Sequence, residues 1–112
     1  MEIFSRDYLL NAFMQDSDII KNMLVRFIER SAGQLDVLPA MLQQENWEEI
    51  FRIVHTIRGT AKTLSGIELG NTAAKLEEIC KTKNVPEAEK ILPQLKEAFI
   101  RFKKAAEDSF LV

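Results

Sequence analysis

His55 is the only histidine in the chain, and in VHTIRGTAKTL, residues 54–64, it is followed by Arg58, Gly59 and Lys62. Neutral imidazole is a nucleophile near pH 7, and basic side chains close by can attract phosphate oxygens. Glycine inside a helix costs about 1 kcal/mol relative to alanine, so Gly59 needs a reason. One reason is access: a bare stretch of backbone one turn beyond His55 lets something large and anionic approach the imidazole. Phe51 adds an aromatic edge to the same patch. Each of these residues alone reads as ordinary solvated surface, and only the combination points to phosphoryl chemistry.

The element that carries them is an amphipathic helix. At 3.6 residues per turn, Ile50, Val54, Ile57, Ala61 and Leu64 fall within about 40° of one direction, which marks the core face. His55 falls roughly 140° away, on the solvent side. Asn46 with Glu49 three residues on is a start signal for this helix, and Ser65 and Gly66 end it. The next helix carries Leu69, Ala73, Leu76 and Cys80. If the two form an antiparallel hairpin, residues equally far from the turn lie at one height, which sets His55 level with Leu76 and Glu77. Glu77 sits at the edge of the apolar stripe. It reads equally as a plain surface glutamate or as a carboxylate that accepts a hydrogen bond from one ring nitrogen and leaves the other free to attack.

Apolar residues recur at helical spacing throughout, and no stretch alternates as a half-buried strand would. A short helix is expected over 5–14. A long one capped by Asp16 or Ser17 follows, with its stripe through Ile20, Leu24, Phe27, Leu35, Leu38 and Leu42 and with Gly33 and Pro39 bending or interrupting it. A last helix starts near Pro86 and carries Ile91, Leu95, Phe99, Phe102 and Ala106, with Pro93 kinking it or marking its true start. The expected fold is all-α, an antiparallel four-helix bundle with a short additional N-terminal helix, forming one domain over residues 1–112.

Composition narrows the function. The formal net charge is -2 and there is no dense Lys/Arg block, so neither nucleic acid nor an anionic membrane surface is an expected partner. Cys80 is the sole cysteine, which suits a reducing compartment and a buried small hydrophobe. The opening MEIFSRDYLLNAF is broken by charges and resembles neither a signal peptide nor an anchor, so a cytoplasmic protein is expected. No Gly-rich phosphate loop or metal-spaced Asp cluster is present in the sequence.

HTIRGTAKTLSGIELGNTAAKLE, residues 55–77, resembles the signature of histidine-containing phosphotransfer (HPt) domains, in which a histidine is followed by x-Leu-Lys-Gly, a small residue pair and later Leu-Glu. The upstream stretch through the Trp-Glu-Glu start of the histidine helix is similar as well. The resemblance implies that His55 is the phosphoacceptor, Arg58 the family's usual lysine, Gly59 its close-approach glycine and Glu77 the acid hydrogen-bonded to the histidine in chemotaxis-kinase members. Ser65 departs from it, standing where the family commonly has glycine. The implied function is a phosphorelay intermediate, not an enzyme: His55 takes a phosphoryl group from the aspartyl phosphate of a receiver domain and passes it to another receiver. The implied partners are response-regulator receivers and a hybrid histidine kinase, with no cofactor on this chain and Mg²⁺ on the receiver. Phe13, Met14 and Phe51 are candidate docking residues, with a peripheral core role equally open.

Two other readings also fit an exposed histidine on a helical bundle. The phosphoacceptor hairpin of a histidine kinase typically has His-Glu-x-x-x-Pro, whereas Thr56 and Thr60 stand at those positions here. A non-catalytic helical adaptor would carry His55 incidentally. A bundle closed within one chain needs no partner, so a monomer is expected.

Overall fold

The computed structural model describes residues 2–111. Five helices follow in order: α1 (Arg6–Ala12), α2 (Ser17–Gln43), α3 (Trp47–Thr63), α4 (Ile67–Thr82) and α5 (Val85–Ala106), then a π-helical turn over Glu107–Leu111. There is no strand among the described residues. The fold is an all-α bundle of four long helices with α1 laid on one end. Its stripes meet in one core, in which Leu24, Leu38, Val54, Leu76, Leu95 and Phe102 are fully buried. Among the described residues no helix is long and apolar enough to cross a membrane.

The helix ends follow local chemistry. Ser5 caps α1 by accepting from the Tyr8 amide at 3.2 Å, and Asp16 caps α2 by accepting from the Ile19 amide at 3.1 Å. α1 stops short of the expected residue 14 because Met14 and Gln15 adopt left-handed backbone, with φ of 55° and 63°. Asn84 accepts from the Glu87 amide at 3.1 Å to cap α5, with Pro86 in its first turn.

Three local expectations are corrected. α2 runs unbroken through Gly33 and Pro39, and α5 begins at Val85 and continues through Pro93, so neither proline interrupts or starts a helix. Both prolines line a groove between α2 and α5. Asn46 occupies the cap of α3, but its side chain makes no capping bond, and Glu49 turns instead to Arg52.

The α3–α4 turn is the joint that positions the site. Ser65, not a glycine, holds the left-handed position at φ 66°. Its hydroxyl accepts from the Ser5 amide at 2.9 Å and donates to the Ser5 carbonyl at 3.3 Å, tying the turn to the N-terminal segment. Gly66 follows at φ -83°, which any residue adopts. Its requirement is spatial: a Cβ there would lie 2.8 Å from two ring atoms of the fully buried Phe102 and 3.2 Å from the Ala61 carbonyl oxygen. We expect Gly66→Ala to lower stability by about 1–3 kcal/mol in urea denaturation, the usual effect of overpacking a filled core.

Candidate functional site

α3 and α4 make the most intimate helix pair of the bundle, and at Gly70 the stem of Lys62 lies across the α4 backbone. A Cβ at Gly70 would lie 2.7 Å from Cγ of Lys62 and 3.4 Å from the Arg58 carbonyl oxygen. The sequence reading missed this residue. Its signal was there, a glycine four residues after Gly66 within a helical pattern.

Across this pair the hairpin arithmetic holds. Oε1 of Glu77 on α4 is hydrogen-bonded to Nδ1 of His55 on α3. Glu77 is not a surface glutamate: its side chain is 9% exposed, while that of His55 is 54% exposed. A carboxylate oxygen can only accept, so Nδ1 carries the proton and the Nε2 lone pair is left free. Phe51, one turn earlier on α3, stacks on the imidazole with ring centroids 5.7 Å apart and planes 12° from parallel. The ring is thus held at one nitrogen and along one face.

Arg58 differs from its expected role as a free phosphate cation. Its Nε lies 3.0 Å from Oε2 of Glu77, and Nη2 is 3.3 Å from Nδ1 of His55. The Nε–H is not aligned for a hydrogen bond, so the attraction to the carboxylate is Coulombic. Nδ1 is already donating to Glu77 and cannot also accept from Arg58. Arg58 therefore balances the charge of the carboxylate that holds the histidine. Lys62 lays its stem over Gly70 and keeps no ion-pair partner among the described residues, which leaves it as the available cation on this face.

Gly59 is exposed, and a methyl group there would meet no atom within 4 Å among the described residues. Nothing inside the molecule calls for a glycine at this position. Behind the site, Cys80 is buried, and burial together with the charge of Glu77 pushes its thiol up to about 11.

The three proposed docking residues separate. Phe51 is at the histidine, but Phe13 and Met14 are not brought to it. They end α1 at the start of α2, roughly 27 Å along the bundle from His55, counting 1.5 Å per residue from Leu35, its level on α2, to Ser17. Phe13 packs against the core and Met14 is 91% exposed.

A family model, the Hpt domain, matches residues 22–105 of the 112-residue chain. The chain belongs to the Hpt domain family. Hpt domains are phosphocarrier modules that work by histidine phosphotransfer in two-component phosphorelays. The match spans the whole of α3 and α4, so His55, Arg58, Gly59, Lys62 and Glu77 all fall inside the Hpt region, whereas Phe13 and Met14 fall outside it. A search of curated proteins and a search of solved structures each gave no match.

Removing the Glu77 carboxylate frees Nδ1 from its only acceptor among the described residues. We expect ¹⁵N chemical shifts of His55 in Glu77→Ala to move from the Nδ1–H form toward a mixture of tautomers, with the helical circular-dichroism spectrum retained.

Proposed function

We propose that this Hpt domain is a phosphorelay intermediate in which Nε2 of His55 takes a phosphoryl group from the aspartyl phosphate of one receiver domain and passes it to a second receiver. The observation that supports this most directly is the Glu77–His55 hydrogen bond, which commits Nδ1 and leaves Nε2 free on an exposed side chain.

In the transfer, the Nε2 lone pair forms a bond to phosphorus as the bond from phosphorus to the aspartyl oxygen breaks, and the aspartate leaves as a carboxylate. The proton stays on Nδ1. The phosphorylated ring is cationic, and Glu77 accepts from the nitrogen that shares this charge, so the same contact that orients the nucleophile stabilises the product. The reverse sequence delivers the phosphoryl group to the next aspartate. Charge on the transferring group is neutralised by the metal ion and cations of the receiver, so this chain needs to contribute only a well-placed nucleophile and an open approach to it. In this reading it is one domain, acts as a cytoplasmic monomer, has no kinase activity of its own, and meets a hybrid kinase and its response regulators in turn.

His55→Gln keeps the fold, because an exposed side chain contributes little to the core, and it should abolish acid-labile labelling by a phosphorylated receiver; labelling that persists would remove His55 from the mechanism. Gly59→Lys should preserve or raise helicity while blocking transfer, since the added side chain meets nothing in the free molecule and obstructs only a docked one. Glu77→Ala should slow phosphorylation roughly tenfold, equivalent to about 1.4 kcal/mol, through loss of alignment. Rapid-quench assays with a phosphorylated receiver check all three.

A further inference from the structure

A second exposed face adjoins the histidine, and the fold does not account for its composition. Arg26, Arg30, Gly33 and Val37 recur at helical spacing and form one strip along α2. Arg26 and Arg30 line a groove with Thr56, Thr60 and Thr63 of α3. Thr56 is the immediate neighbour of His55, and Gly59 lies one turn from both Thr56 and Thr63.

Three features of this strip are unfavourable to the isolated chain. Arg26 and Arg30 are like charges one turn apart, which weakens a helix by a few tenths of a kcal/mol. Neither has an ion-pair partner among the described residues, although Glu29 lies between them in sequence. Gly33 is an exposed glycine in the middle of a 27-residue helix, and a Cβ there would meet no atom within 4 Å among the described residues. The helix would be more stable with alanine at this position. Gly33 thus repeats the anomaly of Gly59 on the neighbouring helix. On the α3 side, the residues that share the groove with Arg26 and Arg30, among them Thr56, Thr60 and Thr63, include no carboxylate.

Resting on the phosphorelay reading, we propose that the α2–α3 face is the specificity surface for the receiver, with Arg26 and Arg30 pairing with acidic side chains beside its phosphorylated aspartate and Gly33 admitting its backbone to α2 as Gly59 does to α3. The occupant is fixed by charge. A surface that presents an acyl phosphate and acidic side chains is negative, and two unpartnered guanidiniums on α2, in the groove that begins at Thr56 beside the phosphoacceptor, complement it. Such contacts raise the encounter rate and select the partner more than they alter the chemical step. Arg26 and Arg30 therefore affect docking, and His55 with Glu77 affects transfer.

The test measures transfer from a phosphorylated receiver to the wild-type chain, Arg26→Glu/Arg30→Glu, Arg26→Gln/Arg30→Gln, Gly33→Gln, His55→Gln, and a control reversal on α5, Lys90→Glu/Lys96→Glu, at low and high salt. The charge reversal should lower kcat/KM at least tenfold at low salt while leaving the rate at saturating receiver near wild type. The neutral pair should give a smaller loss with a flatter salt dependence, which keeps the test valid if the reversed protein folds poorly. Gly33→Gln should raise KM, and the α5 control should behave as wild type. Wild-type kcat/KM and salt dependence in both arginine pairs, with His55→Gln inactive, would overturn the α2–α3 face and leave the phosphorelay reading intact. Labelling of His55→Gln would overturn that reading itself.

Discussion

The constraint around which the site is arranged is a carboxylate held largely out of water between two helices. Glu77 can sit there only if its oxygens are engaged, and the two groups that engage them, Nδ1 of His55 and the guanidinium of Arg58, both come from α3. The spacing of α3 and α4 is therefore part of the chemistry. Gly70 leaves room for the stem of Lys62, Gly66 lets the turn fit beneath Phe102, and the Ser5–Ser65 bonds hold the turn to the N-terminal segment. Phe51 completes the arrangement by covering one face of the imidazole.

This arrangement explains why so small a domain can take part in group transfer. Nε2 of His55 is presented on an exposed ring whose other nitrogen, one face and supporting carboxylate are all occupied. Few rotamers remain open to it, so little ordering is left for the encounter with a partner. In the proposed transfer the bundle stays closed on its own core while the receiver brings the charge stabilisation. Division of labour of this kind also explains the composition of the outer surface. The exposed Gly33 and Gly59 and the unpaired Arg26 and Arg30 of α2 weaken the isolated helices slightly, and the proposed docking surface would give that weakening a purpose.

The two cations beside the histidine show how tertiary context separates residues that look equivalent in sequence. Arg58 and Lys62 are both basic and both on the α4 side of α3, one and two turns beyond His55. Arg58 has Glu77 within reach and is drawn into the site. Lys62 lies a turn further on, over Gly70, with no carboxylate to meet, and remains available to solvent or to a partner.

Periodicity alone was enough to establish the helices, the buried stripes, the outward placement of His55 and its level with Glu77, because apolar spacing and a rise of 1.5 Å per residue are properties of the chain taken one helix at a time. The oddity of Gly59 was equally visible, since a helix-interior glycine is anomalous in any surroundings. What the sequence could not decide depends on neighbours distant in the chain. Glu77 read as either surface or site until the approach of α3 buried it. Phe13 and Met14 were separated from the histidine by the stretch of α2 from Leu35 back to Ser17. Pro39 and Pro93 carry strong local signals to break a helix, yet packing along α2 and α5 on both sides of each proline outweighs one missing hydrogen bond. Local rules fix which face of a helix is apolar, but only the packed bundle decides which polar side chains end up between two helices and must find each other there.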